Sequence, residues 1–180
     1  MFARILLNLG KKLIRKVELF LFKLYLFLIL PFTYLRYIFI SKKTQCNVIL
    51  TSYPIRFDIL FWTLLSILSQ SVTSKITIVL YDKDCTILSL RLQIIIYVFK
   101  DFLSIYNSNY DFRSYKKILP IIEGRVFTKN VILCDDDIFY PPDWLKLLLR
   151  QLNRSPNGVV GTAGHLQTFL PNGEVDKYSK

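Results

Sequence analysis

Five short β-branched runs recur between residues 47 and 162 of this chain, separated by stretches long enough for helices. Residues 47–51 (NVILT), 75–81 (KITIVLY), 102–106, 130–134 (NVILC) and 158–162 (GVVGT) read as strands. Between them, residues 57–70 and 86–99 carry apolar side chains at helical spacing, residues 114–122 read as a shorter helix, and residues 143–153 form a helix led in by Pro141 and Pro142. Such alternation predicts an α/β fold: a mostly parallel sheet with helices on its faces. Ligands of these sheets bind beyond the carboxyl ends of the strands, so the residues just after each run are the ones to weigh.

The fourth run ends in Asp135-Asp136-Asp137. Side chains two apart in extended backbone point the same way, so Asp135 and Asp137 converge while Asp136 turns aside. Three adjacent carboxylates repel one another, and a hard divalent cation relieves that repulsion. Magnesium or manganese takes one or two carboxylates and leaves positions for phosphate and water. The plainer reading is an acidic turn before the last helix, but Asp143 is placed to cap that helix unaided.

Upstream, Arg113 and Lys117 stand four residues apart in FRSYKKILP, with Lys116 beside them and Ser114 placed to cap the turn. On a helix the pair shares a face, as a diphosphate bridged to a metal would require. Tyr53, Pro54 and Arg56 follow the first run, where Tyr53 could stack on a base. Asp82 and Asp84 follow the second, where they could accept hydrogen bonds from a base or ribose. His165, the single histidine, follows the fifth. Each of these has a bland alternative as a solvated turn or a structural side chain.

The net charge of +11 is concentrated in residues 1–43, which hold nine Lys and Arg against one acid, Glu18. The remainder is nearly neutral, which argues against a nucleic-acid surface spread over the fold. Residues 19–40 form an apolar stretch of membrane-span length, interrupted by Lys23, Pro31 and Arg36. Arg4, Lys11, Lys12, Arg15 and Lys16 precede it among apolar residues, as in a helix lying on an anionic leaflet. Association with a membrane surface or bilayer is favoured over a helix packed on the domain. Span and in-plane helix stay equal, and the apolar run is too long for a cleaved signal peptide. Cys46, Cys85 and Cys134 are far apart and form no CxxC, which fits reduced thiols and a cytoplasmic catalytic domain. An apolar share of 52% excludes disorder, and six glycines without a period exclude collagen-like or linker sequence.

Together, TSYPIRF, RSYKKILP and DDDIFYPPDWL resemble a bacterial glycosyltransferase family of the family-2-like kind. The resemblance spans about residues 47–165. It implies a GT-A-type nucleotide-sugar-binding fold over residues 46–180, preceded by the basic, apolar segment 1–43. It implies Asp135 and Asp137 as ligands of a divalent metal, Mn2+ or Mg2+. Asp136, Lys117, Arg113, Tyr53 and Arg56 fall near the sugar donor. His165 falls on the acceptor side, although the arginine usual before it is replaced by Ala163 and Gly164. The partners implied are a nucleotide-sugar donor and a glycan or lipid-linked acceptor in surface polysaccharide synthesis, with no nucleic acid. No catalytic base is identifiable; Glu174 and Asp176 lie near the end, and such domains usually run longer after the acidic strand. A truncated or degenerate chain without activity is the alternative. A different phosphate enzyme, such as a nucleotidyltransferase, lacks support because neither GxxxxGK[ST] nor GxGxxG occurs.

Overall fold

The computed structural model describes residues 2–39, 44–126, 128–155 and 158–162. Helix α1 (Phe2–Phe39) leads into strand β1 (Cys46–Thr51), then α2 (Phe57–Leu68), β2 (Ser74–Tyr81), a four-residue α3 (Asp82–Cys85), α4 (Leu90–Val98), β3 (Leu103–Ser108), α5 (Leu119–Ile122), β4 (Val131–Leu133) and α6 (Trp144–Arg154). Two 3-10 helices, Pro54–Arg56 and Arg113–Ile118, precede α2 and α5. The strands form one sheet in the order β3-β2-β1-β4, and every pairing is parallel.

Strand β1 lies between β2 and β4, and all six of its residues are buried. That explains its unbroken apolar sequence, since a central parallel strand has no solvent face. Val48, Ile49 and Leu50 are fully buried, each contributing about 1.5–3 kcal/mol of transfer free energy. Helix α2 closes the core through Leu60, Leu64, Ile67 and Leu68. Beyond β4, backbone bonds from Cys134 N to Ile49 O and from Asn47 N to Asn130 O prolong the ladder and aim the acidic triplet past the end of β1.

Helix α1 also packs on the domain. Leu26, Thr33 and Tyr37 are buried, and Phe22, Ile29 and Leu30 rest against the core. Arg36 donates to the Leu68 carbonyl at 3.2 Å, and Lys23 lies over the Trp62 ring. The packed-helix reading therefore holds for one face of the helix, and the opposite face is exposed.

Four local expectations are corrected. Residues 158–162 form no strand; Val159 is fully exposed, and β-branched composition makes no ladder without a neighbour to bond. The second helix starts at Leu90 rather than 86, with Ser89 extended at its N-cap. Residues 113–118 are a 3-10 helix, not an α-helix, so the three-residue period governs their faces. Asp143 places no side-chain cap on α6: its carboxylate accepts from Ser71 Oγ, and the Leu145 N–H is satisfied by Gln70 Oε1 at 3.0 Å.

Candidate functional site

A cavity of about 430 Å³ opens at the carboxyl ends of β1 and β2. Its wall contains four cations, Arg56, Arg113, Lys116 and Lys117, and four carboxylates, Asp84, Asp111, Asp135 and Asp136. Thr51, Ser52 and Tyr53 form its floor beside β1, and Tyr81 closes the β2 side. The size suits a nucleotide-scale ligand.

The acidic turn is built from beneath. Asp136 is 4% exposed and accepts from Ser52 Oγ at 2.5 Å and from Arg56 Nη1 at 2.9 Å. Its own carbonyl accepts from Thr63 Oγ1 at 2.9 Å. Ser66 Oγ accepts the Tyr140 N–H, and Gln70 Nε2 donates to the Pro141 carbonyl at 2.7 Å. Tyr140 Oη accepts from the Asp135 N–H at 3.0 Å, and its ring lies 4.0 Å from Trp144. Burial drives the Tyr140 hydroxyl above its ordinary pKa, so it stays a neutral phenol. Thr63 and Ser66 of α2 and Gln70 just past its end, at spacings of three and four, thus hold the loop through 136–141. Their burial inside an otherwise apolar helix is the signal that sequence reasoning missed: polar side chains on a core-facing stripe need partners, and here the partner is the acidic loop.

Asp135 and Asp137 flank the buried carboxylate and reach outward. Asp135 Oδ1 pairs with Lys117 Nζ at 2.5 Å, and Asp137 Oδ2 with Arg56 Nη1 at 3.1 Å. Arg56 therefore bridges Asp136 and Asp137, and these contacts, the Asp136 hydrogen bond first, raise its pKa further. Its guanidinium lies 5.3 Å from the Tyr53 ring centre. Asp136 is thereby tied to Arg56 and Ser52 as a brace in the cavity wall, while Asp137 lies outside the lining.

The basic turn is arranged differently from a helical face. With three residues per turn, Arg113 and Lys116 are eclipsed and Lys117 is rotated away. Lys116, 2% exposed, pairs with Asp111 Oδ1 at 2.8 Å. The same oxygen accepts the Arg113 N–H at 3.1 Å, so Asp111 organises the turn that Ser114 was expected to cap. Arg113 sits at φ +50, a left-handed conformation uncommon for a residue with a Cβ. Lys116 and then the Arg113 N–H hold the Asp111 carboxyl below its ordinary pKa. Asp84 lines the cavity, whereas Asp82 does not. Cys134, buried behind the acidic turn, has its thiol pushed up to about 12 by desolvation. His165, Glu174 and Asp176 lie outside the described residues.

Among the described residues, no three His, Cys, Asp or Glu side chains converge as a metal cage. Asp135 and Asp137 reach outward, and magnesium or manganese take one or two carboxylates together with water and substrate phosphates. The ion pairs use Oδ1 of Asp135 and Oδ2 of Asp137, and the second oxygen of each is the one a hard cation would take.

The all-parallel sheet, the flanking helices and the cleft at the strand ends define a glycosyltransferase-like α/β fold, preceded by an apolar helix. Among solved structures it is similar to S. aureus TarS 1-349, a staphylococcal glycosyltransferase, with 15% identity and a TM-score of 0.50 over 70% of this chain. The chain spans 40% of the length of that structure. At such identity the likeness concerns the fold alone. No protein-family model and no curated protein matches the sequence.

Proposed function

We propose that the chain binds a nucleoside diphosphate sugar in the 430 Å³ cleft and transfers the sugar to a glycan or lipid-linked acceptor at a membrane, in surface polysaccharide synthesis. The observation that carries this reading is the opposition of Arg56, Arg113, Lys116 and Lys117 to Asp135 and Asp136 in one cavity, with Asp137 beside it on Arg56. Fixed cations stabilise the charge that develops on a departing diphosphate, and a preorganised, partly water-excluded cleft strengthens them. A divalent ion on Asp135 and Asp137, when bound, would supply Lewis-acid neutralisation of that leaving group. Ser52 and Asp136 keep Arg56 facing the cavity, and Asp111 keeps Lys116 there. Tyr53 is placed to stack on a base, with Arg56 over its ring.

The test is calorimetry of the full chain against several nucleotide sugars with and without manganese. Donor binding that requires manganese and vanishes in Asp137→Ala supports the reading. Equal binding by that variant sinks the metal site. Donor binding without any transfer or donor hydrolysis leaves a binding fold and overturns the transferase half.

A further inference from the structure

From Leu19 to Phe39, helix α1 carries apolar side chains on most of its circumference, yet the domain covers only one side of it. Leu26, Thr33 and Tyr37 face the core. The opposite face carries Phe20 (65% exposed), Leu24, Phe27 (62%), Leu28, Leu35 and Ile38. A helix apolar on all sides has each side covered by something other than water. Helix α4 repeats the pattern. Leu92 and Ile95 are buried, while Leu90 (71% exposed), Ile94 and Tyr97 (74%) form an outward stripe at spacings of four and three. The two helices adjoin where the rings of Tyr34 and Tyr37 meet Phe99, just past the end of α4, at 5.8 and 5.6 Å.

We propose that the outward faces of α1 and α4 form one surface that rests in the interface of an anionic bilayer, with α1 in the membrane plane and not across it. This builds on the membrane reading of the N-terminal arm and is independent of the sugar chemistry. Two observations exclude a span. First, Leu26 to Tyr37 occupy roughly 16 Å of helix axis against the domain, in the middle of the apolar run. Second, crossing the bilayer would carry Lys23, Arg36 and the packed surface of α2 into hydrocarbon. Charge selects the occupant. Residues 1–43 carry nine basic residues and one acid, and Arg91 and Lys100 flank the α4 stripe, Lys100 lying 5.6 Å from the Tyr97 ring. A second copy would bring like charge against like, whereas anionic headgroups complement it. A leaflet-bound cleft would also meet a lipid-linked acceptor without extracting it.

Flotation of the full chain with vesicles tests this, without donor present. Vesicles of phosphatidylglycerol and phosphatidylcholine should carry the chain upward, vesicles of phosphatidylcholine alone much less, and alkaline carbonate should release it. Phe27→Glu with Leu28→Glu should lower the bound fraction at least tenfold, and Ile94→Glu with Tyr97→Glu about threefold. These side chains are exposed, so far-ultraviolet circular dichroism and the thermal unfolding midpoint should be unchanged. Arg91→Glu with Lys100→Glu should reduce binding to the anionic vesicles only. Resistance to carbonate would establish a span and overturn the proposal. So would indifference to the α4 variants, or a dimer in solution that does not float. Since no donor enters the assay, loss of nucleotide-sugar binding with intact flotation would refute the enzymatic reading alone.

Discussion

Three identical residues in sequence meet two different environments. Asp136 is enclosed beneath the cleft by Ser52, Arg56 and the α2 stripe, whereas Asp135 and Asp137 stand at the rim with one cation each. The buried member joins β1, α2 and the acidic loop; Asp135 faces the cavity, and Asp137 stands beside it on Arg56. Chemistry of the side chain does not separate these tasks, but solvent does. A carboxylate cut off from water has to be fully hydrogen-bonded, and one at the rim can exchange its partner for a ligand.

Breaking the brace should have the largest effect on folding. Asp136→Ala strands the Ser52 hydroxyl and frees Arg56, and should cost about 3 kcal/mol in urea unfolding. Asp135→Ala should change stability by less than about 0.5 kcal/mol, because its pair is exposed. Equal losses in the two variants would erase the distinction. Gln70→Ala removes bonds to Ser66, Pro141 and Leu145, and should cost about 2 kcal/mol by the same measurement. On the rim, Lys117→Ala should weaken binding of a nucleoside diphosphate about tenfold by calorimetry, roughly 1.4 kcal/mol, with the melting temperature unchanged.

The smallest effect belongs to Asp111, whose side chain is half exposed. Its carboxyl titrates below its ordinary value of 3.8 in the folded chain, so its ion pair stabilises the fold above that pH and the gain is lost as acid protonates it. Urea curves of wild type and Asp111→Asn should differ by a few tenths of a kcal/mol near neutrality and converge in acid. A gap that widens in acid would reverse the sign of this linkage. The thiols supply a control. Cys46 and Cys134 are pushed up to about 12 by burial, and a thiol-specific dye should reach them only on unfolding, after the half-buried Cys85.

Much of the fold was legible because parallel strands buried on both faces leave an unmistakable apolar run. β1 and β2 appear within a residue of where NVILT and KITIVLY placed them. The apolar run 158–162 misled because pattern reports apolarity and not the presence of a hydrogen-bonding neighbour. At the site, the exposures of Asp135, Asp136 and Asp137 alternate, but Asp136 and Asp137 lie in a turn past β4 and not in the extended backbone from which the alternation was argued. Lys116 was underrated because a helical period was assumed where Asp111 imposes a tighter coil. The support from Thr63, Ser66 and Gln70 was hidden for a different reason: its partner is about 70 residues away, and a single sequence does not display long-range pairing.

That distance also has a kinetic consequence. Ser52 and Asp136 are separated by 84 positions, and β4 reaches β1 only after the chain has run out through β2 and β3 and returned. Closing so long a loop is entropically unfavourable until the final contacts form, so docking of β4 should govern the refolding rate. Synthesis from the N-terminus would produce most of the sheet well before the acidic rim exists, leaving β1 with a bare flank in the interval.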